Sequence, residues 1–195
     1  MNDLTRRGLI FGAAGLATLG VFAALDHVAS SSLLPEEEPE DPLATAEIVQ
    51  FDDSGKRTGK VQLRKVHKTP EEWRSILTAP QYAVTRQAGT EIPGTGELLH
   101  EHRTGIFRCV DCGTALFDSK TKFESGTGWP SFWEAIATEN VREKDDFSMG
   151  LLRREVKCTL CDAHLGHVFS DGPDPTGLRY CVNSAALRFA PVSGQ

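Results

Sequence analysis

The 195-residue chain has no surplus of positive charge, and it has no internal repeat beyond two short cysteine pairs. It carries 21 Lys and Arg against 27 Asp and Glu, a formal net charge of -6. An acidic run at 36–41 contributes five of these charges, so the rest of the chain is nearly balanced. No basic surface for nucleic acid is therefore indicated. The chain also lacks the H-x-E and P-C-x-x-C pair, which disfavours a zinc hydrolase or deaminase.

Cysteine is scarce as well, and four of the five cysteines form two C-x-x-C pairs. Cys109 and Cys112 make the first pair, Cys158 and Cys161 make the second, and 45 residues lie between the pairs. Two matched pairs predict a structural zinc site with four thiolate ligands, since four sulfurs leave the metal no open position. A disulfide pair and a thioredoxin-like redox motif are the alternatives. The intervening segment is longer than that of a zinc ribbon, so we expect it to be a folded unit whose ends the zinc joins.

The fifth cysteine, Cys181, lies outside both pairs and is the candidate nucleophile. Its segment is predicted to be a strand, in which side chains alternate between faces, so Arg179, Cys181 and Asn183 should project together. A guanidinium on the same face is expected to favour the thiolate and to lower the pKa of Cys181. Asn183 is a candidate to donate to a substrate oxygen or to orient a histidine. The alternative for Cys181 is an inert thiol buried in the core.

Two histidines and one tryptophan are further candidates for the site. His164 and His167 follow the second cysteine pair, and spacing alone leaves three interpretations open. The first is zinc ligation, which four thiolates make unnecessary. The second is a structural role in which backbone carbonyls bond the rings, and the third is delivery of a proton near Cys181. Trp129 follows a glycine-flanked turn and could present its ring as an apolar wall for a ligand. Its alternative is a place in the hydrophobic core.

The N-terminal residues 1–29 are predicted to be a targeting segment. Arg6 and Arg7 precede an apolar stretch from Leu9 to Leu25 that is rich in Gly and Ala, and this arrangement resembles a twin-arginine export signal. A membrane anchor is the alternative, because about 17 residues is the lower limit for a span. We expect a periplasmic or cell-envelope protein that touches a membrane only through this segment, if it is uncleaved. Such a route carries folded protein, so zinc could bind before the thiols meet an oxidising compartment.

Residues 30–46 are predicted to be a disordered acidic linker, and 47–195 are predicted to be one domain. Thr69, Pro70 and Glu72 match a capping box, which opens a short helix through about Leu77. A loop or a second short helix is expected next. From Glu97 onward the pattern predicts short strands between turns, with the best candidates at 106–109, 114–117, 131–133, 153–156, 167–169 and 179–189.

Three motifs, in order along the chain, resemble the type B family of methionine-R-sulfoxide reductases. They are K-F-E-S-G-T-G-W-P-S-F at 122–132, A-H-L-G-H-V-F-S-D-G-P at 163–173 and G-L-R-Y-C-V-N-S-A-A-L at 177–187. The resemblance extends over 70–191 and includes the four paired cysteines. It implies a mainly β (α+β) fold, in which two antiparallel sheets are tied by a four-cysteine zinc site and short helices lie at the N-terminal side.

The resemblance also implies a role for each candidate residue. Cys181 would attack the sulfoxide sulfur, and His167 would be the acid that protonates the oxygen. The products would be methionine and a sulfenic acid on Cys181, and the substrate would be the R epimer of methionine sulfoxide, free or protein-bound. Trp129 matches the pocket for the S-methyl group. The remaining matched site residues are His164, Arg179 and Asn183.

The chain departs from the family pattern at one position. Many members carry a resolving cysteine two residues before the tryptophan, where this chain has Thr127. No other cysteine can replace it unless a zinc ligand is sacrificed. We therefore expect Cys181 to work alone and its sulfenic acid to be reduced by an external thiol, such as a thioredoxin-like partner. A zinc-stabilised ligand-binding module of the same fold, without turnover, is the alternative function.

Overall fold

The structure is a computed structural model that describes residues 41, 43–52, 54–148 and 150–192. The predicted export signal at 1–29 and most of the predicted linker lie outside these residues. Within the described ranges, no helix has the length and apolar character needed to cross a membrane.

Antiparallel β-sheets dominate the described part of the chain. A two-stranded sheet pairs β1 with β2, a three-stranded sheet has the order β11-β3-β4, and a six-stranded sheet has the order β5-β6-β10-β9-β8-β7. The strands are β1 Thr45–Phe51, β2 Arg57–Arg64, β3 Gly105–Cys109, β4 Ala115–Asp118, β5 Lys122–Phe123, β6 Ser131–Phe132, β7 Val141–Asp146, β8 Arg153–Cys158, β9 His164–Phe169, β10 Arg179–Val182 and β11 Leu187–Pro191. The helices are α1 Pro70–Ile76 and α2 Ala79–Gln87. The mainly β class with short helices at the N-terminal side is confirmed, and the two larger sheets are accompanied by a third, small one.

The two helices begin at capping boxes. The side chain of Thr69 accepts the N–H of Glu72, and the carboxylate of Glu72 accepts the N–H of Thr69 at 2.7 Å. The same reciprocal pair recurs at α2, where Thr78 and Gln81 cap the first turn. The first box was predicted, and the second explains why the adjoining segment is a helix rather than a loop.

Aromatic side chains fill the space between the two larger sheets. The rings of Phe117 and Phe132 stack with centroids 4.4 Å apart, and Phe107 meets Phe132 edge-on at 4.9 Å. All three are fully buried, and burial contributes about 1.5–3 kcal/mol for each such side chain. Tyr180 of β10 joins them, with its ring 5.7 Å from that of Phe117. Because side chains alternate along a strand, a Tyr180 that faces the core directs Cys181 to the opposite face.

The β1–β2 hairpin was not predicted. Strand β1 begins at Thr45, so the last two residues of the predicted linker belong to the fold. Ala46, Ile48 and Val49 of β1 are buried in the core. The linker boundary at residue 46 was placed too far along the chain because these apolar side chains directly follow a polar, acidic stretch.

Asn140 connects this hairpin to the rest of the fold. Its side-chain oxygen accepts the N–H of Val49 at 2.7 Å, and its amide nitrogen donates to the carbonyls of Val49 and Ala115 at 2.8 and 2.7 Å. The side chain is fully buried, so water cannot replace these bonds. One amide thus satisfies backbone groups on two different sheets.

Replacement of Asn140 by Ala should lower the free energy of unfolding by about 3 kcal/mol, because three buried backbone bonds lose their partner. Urea denaturation measures the change. The control is Thr138→Ala in the same turn, whose exposed side chain should matter by less than about 0.5 kcal/mol. Equal stability of Asn140→Ala and the wild type would show that this side chain does not hold the hairpin.

Candidate active site and metal centre

The four paired cysteines converge where the two larger sheets meet. Cys109 ends β3 and Cys158 ends β8, and each begins a C-x-x-C turn, called a knuckle below. All four sulfurs lie within 4.8 Å of one another, and the Cys109–Cys161 and Cys112–Cys158 sulfur pairs are each 3.6 Å apart. Tetrahedral zinc with Zn–S bonds of about 2.3 Å separates its sulfurs by about 3.8 Å. The donor set and the spacing therefore fit one zinc ion, and the separations exclude disulfides, whose S–S length is about 2.05 Å.

The two knuckles close in the same way. The N–H of Gly113 and that of Asp162 each donate, at 2.9 Å, to the carbonyl of the first cysteine of their own pair. Both residues adopt positive φ, 81° for Gly113 and 58° for Asp162, the left-handed region in which Gly and Asp are favoured. The Asp162 carboxylate also accepts bonds from Lys65 at 2.5 Å and from Arg142 at 2.8 Å. These bonds hold the second knuckle in place.

Arg86 of α2 links one knuckle to the other. Its Nη1 donates to the carbonyl of Cys161 at 2.7 Å and lies 3.4 Å from the carboxylate of Asp111 in the first knuckle. The guanidinium also stacks on Trp73 of α1, 4.8 Å from the ring. The helices are thereby docked onto the metal centre.

Cys181 lies apart from this cluster, in the middle of β10. Its neighbours across the sheet are Ser131 of β6 and His167 of β9. Its side chain is partly buried, and the Thr127 hydroxyl oxygen lies 3.9 Å from its sulfur. The side chains of the candidate nucleophile and of Thr127 are therefore in contact.

The environment of Cys181 favours the neutral thiol. Burial raises its pKa above the ordinary value, although contact with Thr127 and the charge of Arg179 both act to lower it. Arg179 acts on the pKa in the predicted direction, but burial outweighs it and the net shift is upward. The guanidinium makes two bonds of 2.9 Å to Asp171 and stacks on Phe169, 4.4 Å from the ring, so its charge is largely engaged elsewhere.

His167 is held by a carboxylate from a strand two places away. Its Nε2 lies 2.8 Å from Oδ2 of Asp146, at the end of β7. Asp146 also accepts bonds from Arg153 and from the N–H of Ser148, and hydrogen bonds such as these lower its pKa, so it is ionised and can only accept. Nε2 must therefore carry the proton. Burial lowers the pKa of His167, with Asp146 partly offsetting it, and the ring is neutral at neutral pH.

His164 forms a second, buried imidazole–carboxylate pair. Its Nδ1 lies 2.7 Å from the carboxylate of Glu155, and its ring centroid lies 5.6 Å from that of His167. Its Nε2 is buried without a hydrogen-bond partner among the described residues. Neither histidine belongs to the cluster of four sulfurs, so zinc ligation by the histidines is excluded. Each ring nitrogen that is bonded meets a carboxylate, whereas a purely structural role was expected to use backbone carbonyls.

Glu91 organises the opposite side of the site. Its carboxylate accepts the N–H groups of Ser184 and Ala185 at 2.6 and 3.0 Å. Its carbonyl accepts the indole N–H of Trp129 at 3.2 Å, and its own N–H donates to the side-chain oxygen of Asn183 at 3.0 Å. Trp129 is only partly buried and lies outside the hydrophobic core cluster, so the core alternative does not hold.

Asn183 is buried and acts between backbone segments. Its amide nitrogen donates to the carbonyl of Leu165 at 3.1 Å, in the strand that carries both histidines. Both ends of the amide are thus engaged with the protein. It orients β9 and the Glu91 segment, and the expectation of a direct bond to substrate is not supported by this geometry.

Sequence reasoning missed four carboxylates that hold the site together: Glu91, Asp146, Glu155 and Asp171. Asp171 lies inside the motif at 163–173 and Glu91 lies two residues before Pro93, so a charge next to a Gly or Pro turn was a usable signal for both. Asp146 and Glu155 carried none, because their roles depend on strand register. Asp146 pairs with Arg153 and Glu155 pairs with His167 across the sheet.

Comparison with known proteins agrees with this site. A family model described as the SelR domain matches residues 77–191. The peptide methionine sulfoxide reductase MsrB of Herminiimonas arsenicoxydans is 57% identical over 125 residues, which are 64% of this chain and 91% of that protein. The MsrB of Pseudomonas putida is 54% identical over 132 residues, 68% of this chain and 99% of that protein. The MsrB of Methanosarcina mazei is 54% identical over 125 residues, 64% and 89% of the two chains.

The four-sulfur site leaves a bound metal no open position, and the matched relatives are oxidoreductases, so the class of the protein is an oxidoreductase rather than a ligand-binding module without turnover. The chain belongs to the SelR-domain family of peptide methionine sulfoxide reductases, the MsrB family, whose members reduce methionine sulfoxide with electrons from a thiol. Zinc, when bound by the four knuckle thiolates, supplies structural cross-linking and no reactive position.

We expect one zinc ion per chain, held by the knuckles alone. Cys161→Ser should lose the metal and unfold, since binding at structural zinc sites is worth on the order of 10 kcal/mol. Cys181→Ser is the matched control and should keep both the metal and the fold. Metal analysis of the purified variants, combined with circular dichroism, makes the measurement. Full metal content in Cys161→Ser, or its loss in Cys181→Ser, would contradict the assignment.

Proposed function

We propose that the protein reduces the R epimer of methionine sulfoxide to methionine through a sulfenic acid on Cys181, which an external thiol then reduces. The observation that carries the proposal is the 3.9 Å contact between the sulfur of Cys181 and the hydroxyl of Thr127. At position 127, where many family members carry the resolving cysteine, this chain has a threonine hydroxyl. The four other cysteines all belong to the metal cluster. A single sulfur is therefore available for the chemistry.

The first half-reaction balances with one thiol. The sulfur of Cys181 attacks the sulfoxide sulfur and forms a transient S–S bond. The oxygen then moves to the cysteine sulfur as the original S–O bond and the S–S bond break. The sulfoxide is reduced to a thioether while the thiol is oxidised to a sulfenic acid. The thiol proton ends on the transferred oxygen, so no proton is taken from solvent overall.

The pKa shifts support His167 as the carrier of that proton. A raised pKa for Cys181 and a lowered pKa for His167 leave a neutral thiol opposite a neutral imidazole. The Nε2–H of His167 is donated to Asp146, so Nδ1 is the nitrogen that can accept a proton and pass it to the sulfoxide oxygen. The carboxylate of Asp146 stabilises the imidazolium that forms, and the His164–Glu155 pair fixes the neighbouring ring.

Selection of one epimer follows from three points of contact. The sulfoxide sulfur carries a methyl group, an oxygen and the rest of the methionine. If the methyl group packs on Trp129, the oxygen faces His167 and Cys181 attacks from its strand, one handedness of sulfur fits and the other does not. Packing of the S-methyl group on the partly buried indole supplies the apolar contact.

The second half-reaction needs an outside reductant. Two thiol groups reduce the sulfenic acid, which yields the Cys181 thiol, one disulfide on the reductant and one water. A thioredoxin-like dithiol is the reductant we propose. The proposed setting is the periplasm or cell envelope, because residues 1–29 have the pattern of a twin-arginine signal.

The reaction is tested on separate R and S sulfoxide epimers with dithiothreitol as reductant. The wild type should reduce the R epimer only. Cys181→Ser should lose more than about a thousandfold in rate while it keeps its metal and fold. Turnover of the S epimer, or substantial activity in Cys181→Ser, would refute the proposal.

Thr127→Cys should convert the enzyme to one that forms an internal disulfide. The Thr127 hydroxyl lies 3.9 Å from the sulfur of Cys181, so we expect a thiol in its place to reach and attack the sulfenic acid. Peptide mapping after reaction with methionine sulfoxide, without reductant, detects the link. Thr127→Ser, which adds no sulfur, is the control. A sulfenic acid that persists in Thr127→Cys would show that the two side chains cannot meet.

A further inference from the structure

A second group of metal-ligating side chains lies on the surface just before β3, at the end of that strand opposite to the first knuckle. It consists of His100, His102 and Glu124, whose donor atoms all lie within 4.8 Å of one another. Among the described residues, the knuckle sulfurs form the only other group of this kind. The three residues are called the surface cluster below. All three are exposed, so a cation can reach them from solvent.

The two histidines are presented by a turn whose intervening residue is fixed. Glu101 lies between them, and its carboxylate accepts the backbone N–H and the Nε–H of Arg103 at 3.0 and 2.9 Å. Its N–H donates to the carbonyl of Leu98 at 3.3 Å. Only 11% of the Glu101 side chain is exposed. Glu101 is therefore directed into the protein and committed to an arginine, whereas His100 and His102 are directed to solvent.

A buried lysine brings the third side chain to this turn. The ammonium of Lys122 in β5 donates to the carbonyl of Leu99 at 2.6 Å and lies 3.6 Å from Oε1 of Glu124. Nε2 of His102 lies 3.8 Å from the same oxygen. Both contacts to Glu124 are longer than a hydrogen bond, so this oxygen keeps lone pairs for a cation. The bond from Lys122 joins the histidine turn to β5 and holds the carboxylate beside the imidazoles.

We propose that the surface cluster binds one first-row transition-metal ion, such as Zn²⁺ or Cu²⁺, in addition to the knuckle zinc. Imidazole nitrogens suit these ions, whereas Mg²⁺ and Ca²⁺ prefer oxygen ligands alone. Metal–ligand bonds of about 2.0–2.1 Å place tetrahedral donors about 3.3 Å apart. The 3.8 Å between His102 and Glu124 therefore closes with a small rotation of two exposed side chains.

An ion in the surface cluster differs from the knuckle zinc in how it is held. Three protein ligands leave a position for water, so the ion exchanges with solvent and is lost on dilution while the knuckle zinc remains. The ion also acts on the active-site loop. Ser125 follows Glu124 directly, and its hydroxyl lies 2.8 Å from that of Thr127, which contacts Cys181. A cation on Glu124 thus ties the histidine turn to the segment that leads to Thr127.

The test is isothermal titration calorimetry of Zn²⁺ and of Ni²⁺ into the full chain with its knuckles loaded with zinc. A Cys181→Ser background removes the one thiol outside the knuckles, so the titrated metal has no sulfur ligand. The cluster variants are His100→Gln with His102→Gln, and Glu124→Gln alone. The control variant is His67→Gln, an exposed histidine before α1. Circular dichroism checks that each protein is folded.

The background protein and the control should bind one equivalent of Zn²⁺ or Ni²⁺ beyond the knuckle zinc, and excess Mg²⁺ should not compete. The double histidine variant should bind at least about a hundredfold more weakly, and Glu124→Gln about tenfold more weakly. Electron paramagnetic resonance of bound Cu²⁺ should show nitrogen donors that the double variant lacks.

Three results would overturn the inference. They are the absence of an additional equivalent, binding that persists in the double histidine variant, and an equal loss in His67→Gln. The inference goes beyond the proposed function and does not depend on it, because no step of sulfoxide reduction uses the surface cluster. Turnover of the R sulfoxide by the wild type is therefore unaffected by any of these results.

Discussion

Four cysteine sulfurs, brought together from the ends of two strands, fix the position of the two larger sheets against each other. The first knuckle follows β3 and the second follows β8, so a single metal ion held by the four sulfurs would join one sheet to the other. Further bonds hold the second knuckle in place. Arg86 of α2 donates to its backbone, and its Asp162 accepts bonds from Lys65, just after β2, and from Arg142 of β7. The aromatic core between the sheets depends on this relation, and so does the face on which β10 presents Cys181. A metal bound there would affect catalysis only indirectly, because it would hold the two larger sheets in position.

The reactive sulfur is governed by burial more than by charge. A thiolate produced by an adjacent arginine would be exposed to indiscriminate oxidation. Here the guanidinium of Arg179 is engaged by Asp171, and burial keeps the Cys181 proton in place. In the proposed reaction this proton is then available for transfer to the sulfoxide oxygen. A neutral imidazole opposite the thiol can move that proton, and the carboxylates of Asp146 and Glu155 fix the two rings for this task.

Much of this architecture could be predicted from the sequence, because its signals are local. Paired C-x-x-C units, the capping box at Thr69 and the alternation in β10 each depend on residues only a few positions apart. The β1–β2 hairpin was missed, although Ala46 and Ile48 lie two apart and both are buried. The carboxylates that hold the histidines and the sign of the Cys181 pKa shift required the fold. They arise from strand register and from burial, which no short window of sequence contains.

The most direct test of the account is one turnover of the wild-type protein with excess methionine-R-sulfoxide and no reductant. Intact-mass analysis and peptide mapping would follow the sulfur, and metal analysis would follow the zinc. The account predicts a single methionine per chain, one added oxygen on Cys181 and full retention of the metal. A disulfide between Cys181 and a knuckle cysteine, accompanied by release of zinc, would contradict it.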